Sequence, residues 1–265
     1  MKLRYDLIAL DVDGTLLTDD HELREEVKEV VREAEAAGAQ IVLCTGRGPN
    51  SAFPVLEKLE LGGTLIGHNG AVTVTFEDER ILHQYQVEPE EIIEFIRYCR
   101  SNNVHFDLNT AFEMMLEQMT NEVKVMYEQF EVAPLLHNFD DGIPSGLLKL
   151  SAYGSKELID AVYNDWSKWP SGLQAVRSGD SFIDVLHSDA TKGKALRQFG
   201  QSLGIERDRI LAIGNYYNDL TMLEYAGLGV AMGNSPDAVK HAADVVAPSN
   251  NEGGVASALR QYAWS

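Results

Sequence analysis

A four-residue apolar run, Leu7-Ile-Ala-Leu10, stops at Asp11-Val-Asp-Gly-Thr15, and this junction constrains everything the chain can become. A run so short, closed by a Gly-containing turn, reads as a buried parallel strand. Asp11 and Asp13 then stand where the strand ends. In an open α/β sheet, ligands gather outside the carboxyl ends of the strands. Two buried carboxylates so close repel each other and call for a cation or a proton between them. An acidic turn that merely caps the next helix would carry the same Asp-x-Asp. The apolar strand before it and Gly14-Thr15 after it favour a functional pair.

The next segment makes the strand part of a repeating unit. Residues 22–37 are charged, with Leu23, Val27, Val30, Val31 and Ala34 at helical spacing, and Gly38 closes the helix. Residues 40–44 are a second apolar strand, so strand, helix and strand form a βαβ unit with parallel strands. Thr45-Gly-Arg47 therefore falls beside Asp11 at one sheet edge. The Thr45 hydroxyl and the Gly46 amide are suitable donors to a phosphoryl oxygen, although the tripeptide would also serve an ordinary turn. Arg47 reads either as a holder of a substrate phosphate or carboxylate or as a partner for surface acids. Residues 51–59 read as a helix interrupted at Pro54, residues 64–67 as a third strand, and His68-Asn-Gly70 as a turn.

The pattern then changes. Residues 72–87 alternate as a hairpin that leads out of the core. Helix, strand pair, helix, strand pair follow without Rossmann-like alternation, which describes an α+β insert with an antiparallel sheet. The core resumes near His187. Lys192 falls in the first turn of a helix, the positive end of the helix dipole, and that local misfit marks it for work elsewhere. Lys194 is the rival and reads as solvated. Residues 209–213 form a strand followed by Gly214-Asn-Tyr-Tyr-Asn-Asp219, and residues 227–232 another strand. The fold class is α/β: a Rossmann-like parallel-sheet core of residues 1–82 and 188–265, with residues 83–187 inserted as an α+β cap.

Four strings carry a resemblance: Asp11-Val-Asp-Gly-Thr-Leu-Leu17, Thr45-Gly-Arg47, Lys192-Gly-Lys-Ala-Leu196 and Gly214-Asn-Tyr-Tyr-Asn-Asp-Leu-Thr-Met-Leu223. In order and context they resemble the four motifs of the haloacid dehalogenase-like (HAD) phosphohydrolases, and the insert resembles the large cap of the Cof-type subgroup. The resemblance implies that Asp11 is the nucleophile for the phosphoryl group. It implies that Asp13 is the acid and then the base, and that Lys192 neutralises Asp11 and the phosphoryl oxygens. It places Val12, Thr45, Gly46, Arg47, Asn69, Lys192 and Asn218 around phosphate or substrate, with Asn69 at the substrate entrance. It puts Asp11, Asp13, Asn215 and Asp219 around magnesium. Asn215 departs from the pattern, since the family usually carries an aspartate there. A carboxamide oxygen still ligates a hard cation, with less electrostatic attraction.

These readings imply a Mg²⁺-dependent phosphatase for a small phosphorylated metabolite, a sugar phosphate or similar, acting through an aspartyl-phosphate. A phosphomutase-type transferase and a phospholigand-binding protein without turnover are the alternatives. The oxygen-rich, thiolate-free set favours magnesium over zinc. A net charge of −19 argues against nucleic acid and anionic membranes as partners. No apolar stretch reaches the roughly 18 residues that span a bilayer. Cys44 and Cys99 make no disulfide framework. The N-terminus enters the first strand without a signal-peptide pattern, so the expected location is the cytoplasm. The expected assembly is a monomer or weak homo-oligomer.

Overall fold

The structure, a computed structural model, describes residues 2–130, 132–169 and 172–265. The chain enters through β1 (Leu7–Leu10), α1 (Glu25–Ala36), β2 (Gln40–Cys44), α2 (Pro49–Leu59), β3 (Thr64–Gly67), β4 (Val72–Thr75) and β5 (Ile81–Gln84). A second group follows: α3 (Pro89–Ser101), β6 (His105–Asn109), β7 (Met114–Leu116), α4 (Asn121–Gln129), β8 (Leu135–Leu136), β9 (Lys149–Tyr153), α5 (Lys156–Trp166), β10 (Leu173–Gly179) and β11 (Phe182–His187). The chain then returns through α6 (Lys192–Ser202), β12 (Ile210–Gly214), α7 (Leu220–Tyr225), β13 (Leu228–Ala231), α8 (Asp237–Ala242), β14 (Val245–Val246) and α9 (Gly254–Tyr262).

Among the described residues the first sheet has the order β14-β13-β12-β1-β2-β3-β4-β5. It is parallel from β14 to β3 and ends in the antiparallel pair β4 and β5. All of β1 is buried, and its side chains divide by the two-residue period of a strand. Ile8 and Leu10 join α1, α2 and α9 on one face, while Leu7 and Ala9 join α6 and α7 on the other. A strand covered on both faces has no place for alternation, which is why it reads as an unbroken apolar run.

Two local readings differ from the sequence. The hairpin does not leave the core: β4 and β5 extend the first sheet. Helix α2 runs through Pro54. An interior proline costs about 3 kcal/mol, but Ala52, Phe53, Val55, Leu56 and Leu59 are buried along the same helix. Each buried large side chain contributes about 1.5–3 kcal/mol, so packing wins over the broken hydrogen bond.

The second sheet has the order β10-β11-β9-β6-β7-β8 and is antiparallel except at β7–β8. One face packs Phe106, Leu108, Leu150, Ala152, Ile183 and Val185 under α3 and α5. The opposite side chains, Asp107, Asn109, Lys149, Ser151 and Asp184, are polar and also buried. Register sets Ser151 opposite both Asp107 and Asp184. A polar stripe thus crosses three neighbouring strands.

Candidate active site

The parallel sheet builds the site by direction alone. β1, β2 and β12 point the same way, so Asp11, Thr45 and Asn215, each just beyond one of these strands, emerge at one edge. The turn after β1 needs Gly14, whose φ of 73° lies in the left-handed region. A Cβ there would collide with the Asn215 amide. Gly193 serves a similar purpose in α6: a Cβ would strike the Thr221 backbone, so only glycine lets the first turn of α6 lie against α7.

That close approach carries Lys192 into the interior. It is fully buried, and its Nζ donates to Asp11 Oδ1 at 2.7 Å and to Asp219 Oδ1 at 2.6 Å. Burial works against the ammonium, but the two carboxylates outweigh it and hold Lys192 charged well above its ordinary range. Asp11 is pushed up to about 7, first by burial and then by the charge of Asp219, against the pull of Lys192. Two carboxylates share one ammonium, so a further cation beside Asp11 would favour its ionised form. Its other oxygen, Oδ2, accepts the Thr15 hydroxyl at 2.8 Å. Lys194 stays at the surface, 2.8 Å from Asp189.

Asp219 turns its remaining oxygen to backbone. Oδ2 accepts from the amides of Asn215 and Tyr216 at 2.8 and 2.9 Å. Each of its oxygens therefore has a partner, one fixing Lys192 and the other fixing the loop that carries Asn215.

Asp13 is held differently. Arg47 donates Nε to Oδ2 at 2.8 Å and Nη2 to Oδ1 at 2.6 Å, a bidentate fork. The ring of Phe130 lies under the guanidinium, 5.2 Å from it. Burial works to raise the Asp13 carboxyl, yet nearby His21 and the Arg47 fork hold it well below the usual carboxylate range. Arg47 thus pairs with a site carboxylate, neither with a surface acid nor, in this state, with an open phosphate position.

Thr45 Oγ1 accepts from the Arg47 amide at 3.1 Å, which leaves its proton to donate. Asn218 donates to Asn69 Oδ1 at 2.9 Å, and Asn69 donates to Asp184 Oδ2 at 2.6 Å. Asn69 is buried, 2% exposed, and stands behind the wall of the cleft. Val12 is fully buried between the two aspartates and receives the turn through its carbonyl.

The cleft itself measures about 390 Å³ and lies between the two sheets, inside the range of small-ligand sites. Asp11, Asp13, Thr45, Gly46, Arg47, Asn215 and Asn218 form its floor. Its roof comes from residues that sequence reasoning left out: Asp107, Tyr127, Lys149, Ser151 and Asp184, with Met114, Met126, Phe130 and Phe182 beside them. Lys149 Nζ reaches down to the Gly46 carbonyl at 2.9 Å, with Asp184 at 3.5 Å. Tyr127 donates to Asp107 Oδ2 at 2.7 Å, and burial pushes Asp107 up to about 6. The missed signal was the lysine within Leu147-Leu-Lys-Leu150; on a strand it shares a face with Ser151.

The donor chemistry at the floor suits a small hard cation. The tip of the Asn215 side chain lies 3.0 Å from Asp11 Oδ2 and 3.0 Å from the Asp13 carbonyl oxygen. Adjacent ligands of an octahedral ion with bonds of about 2.1 Å are about 3 Å apart. The set holds one carboxylate, one carbonyl and one carboxamide. Among the described residues no three His, Cys, Asp or Glu side chains gather as a metal site. The charge offered to a cation is therefore low.

Three comparisons agree on what this arrangement resembles. A family model described as haloacid dehalogenase-like hydrolase matches residues 8–259. A candidate phosphatase of Bacillus subtilis is 35% identical over 97% of this chain and 98% of its own. The 5-amino-6-(5-phospho-D-ribitylamino)uracil phosphatase YitU of the same organism is 28% identical over 99% of both chains. Among solved structures, a haloacid dehalogenase-like hydrolase from Bacteroides thetaiotaomicron superposes with a TM-score of 0.86 at 28% identity, covering 97% of this chain and 99% of that one.

Proposed function

The chain belongs to the haloacid dehalogenase-like hydrolases, and on that premise we propose that it is a Mg²⁺-dependent phosphatase of a small phosphorylated metabolite, working through an aspartyl-phosphate on Asp11. The observation that carries the reading is the buried Asp11–Lys192–Asp219 line, open on the Asp11 side to a cleft of metabolite size.

Phosphoryl transfer asks a protein mainly for positioning and for charge on the equatorial oxygens. Asp11 attacks phosphorus in line, and the ester oxygen departs as the P–O bond breaks. Lys192 holds the Asp11 carboxylate and reaches the phosphoryl oxygens with its remaining N–H. The free Thr45 proton and the Asn218 amide donate to the same oxygens. Asp13 protonates the departing oxygen, so it enters the first step neutral. Its observed pairing with Arg47 is the ionised state suited to the second step, in which it takes a proton from the water that attacks the acyl phosphate. A substrate anion that drew Arg47 away would move Asp13 toward its acid form, because the fork, after His21, is what holds the carboxyl down against its burial.

Asp11, the Asp13 carbonyl and Asn215 would hold the magnesium, with Asp219 behind them orienting the Asn215 loop; when bound, the ion would supply positive charge to the phosphoryl group. The second sheet and its helices, from α3 to β11, act in this reading as a cap whose polar stripe meets the hydroxyls of the substrate. The relatives that act on a phosphorylated ribityl compound support a substrate rich in hydroxyl groups. Asp11→Asn tests the mechanism. Release of inorganic phosphate from an aryl phosphate falls by about three orders of magnitude or more. Retained release overturns it.

A further inference from the structure

The half-buried Asn215 side chain poses a problem of orientation. Its tip faces three oxygens: the Asp13 carbonyl at 3.0 Å, Asp11 Oδ2 at 3.0 Å and Thr15 Oγ1 at 3.2 Å. The Thr15 hydroxyl already gives its proton to Asp11 Oδ2, so all three oxygens are acceptors toward Asn215. An amide oxygen there would meet only acceptors. An amide nitrogen there satisfies them, donating to the Asp13 carbonyl and to Asp11. Those two oxygens are also the ones that would hold the cation, and the amide nitrogen stands against both.

We propose that Asn215 is a two-position device: in the metal-free enzyme its Nδ2 hydrogen-bonds Asp11 and the Asp13 carbonyl in place of the cation, and a half-turn of the amide presents Oδ1 to the cation when it binds. The amide is the one side-chain group of this size that offers donors on one edge and an acceptor on the other. An aspartate at this position has no donor. Without metal it would press a third carboxylate against Asp11 and Asp219, which already share one lysine. Asn215 therefore keeps the metal-free floor ordered, and the cation must displace those hydrogen bonds to enter. The half of the proposal that concerns the cation rests on the metal-dependent reading above; the half that concerns the metal-free state does not.

Thermal unfolding in EDTA and in Mg²⁺ tests both halves, on wild type and Asn215→Asp. In EDTA the variant melts lower, by about 3 °C or more. Mg²⁺ then raises its melting temperature more than that of wild type. Titration calorimetry with Mg²⁺ gives the variant a dissociation constant about tenfold lower, since the ligand charge has risen. Equal melting in EDTA together with equal responses to Mg²⁺ overturns the proposal. If Asn215→Asp does not fold, Asn215→Ala replaces it: loss of the donor still lowers melting in EDTA, and an unchanged melting temperature overturns the proposal. A direct readout is the side-chain ¹⁵NH₂ pair of Asn215, assigned by its loss in the variant. It shifts on Mg²⁺ addition if the amide turns, and an unmoved pair at saturating Mg²⁺ overturns the switch. Wild-type hydrolysis equal in EDTA and Mg²⁺ would sink the metal-dependent reading, and the EDTA melting difference would still decide the amide contact on its own.

Discussion

Lys192 and Lys149 are both buried lysines, one in the floor of the cleft and one in its roof, and the protein holds them in opposite ways. Lys192 rises from the first turn of α6 and lies between two carboxylates at 2.7 and 2.6 Å. Lys149 stands on β9 and makes its hydrogen bond to a carbonyl, that of Gly46, while Asp184 waits at 3.5 Å. An ammonium has three donors. The floor lysine has committed two of them to full charges, whereas the roof lysine has committed one to a neutral group. The first is therefore fixed in place as part of the structure, and the second retains donors for whatever enters. In the proposed reading, one lysine organises a reaction centre and the other is set out to read a ligand.

Removing the more committed lysine has the largest effect. Lys192→Met leaves Asp11 and Asp219 buried without their shared cation, which costs about 3–5 kcal/mol of stability. Hydrolysis falls by at least about a hundred- to a thousandfold. Chemical denaturation and a turnover assay measure the two losses, and a stable variant would show that the pair does not depend on its lysine. Lys149→Met sharpens the contrast. It raises KM about tenfold, the scale of a charge-assisted hydrogen bond to a ligand, with a smaller change in kcat and in melting temperature. A pure loss of kcat would move Lys149 from the roof's role to the floor's.

The weaker hold of Lys149 also appears in pH dependence. Burial raises Asp107 to about 6 despite the nearby Lys149 charge. With its folded value above the unfolded one, near 3.8, the native state binds more protons between these two values. Its stabilising contribution is thus complete below about pH 4 and is lost as the pH rises through about 6. Asp107→Asn lacks this term, so its melting temperature gains on wild type by a few degrees across that interval. Parallel melting curves at all pH values would remove Asp107 from the balance.

The floor was legible in the sequence because parallel strands leave little freedom. Once Leu7–Leu10 and Gln40–Cys44 form a βαβ unit, the residues after them must share an edge, and Asp11, Thr45 and Asn218 do line one cleft, with Lys192 buried behind Asp11. The roof was not legible. Lys149, Ser151 and Asp107 alternate with Leu148, Leu150 and Phe106 as they would on any sheet with one wet face. Nothing in that alternation tells a face turned to water from one turned to a second sheet. The Oδ2 oxygen of Asp219 is a similar case. Proximity to Asn215 was readable, but its bonds to the Asn215 and Tyr216 amides depend on the shape of one turn.

One further consequence follows from the bonds that join the two sheets around the cleft. Lys149 to the Gly46 carbonyl, Asn69 to Asp184, Ser51 to the Phe130 carbonyl and Tyr216 to Asp180 are all hydrogen bonds between polar groups. Water can replace each of them in turn, and each replacement returns most of the enthalpy it removes. The two large apolar interiors lie away from this seam, under their own helices, and only a smaller cluster of Ala71, Val72, Ala111, Leu148, Leu186 and Ala190 joins the two sides among the described residues. Contacts of this kind can be wetted and remade many times while the hydrocarbon under the helices stays dry.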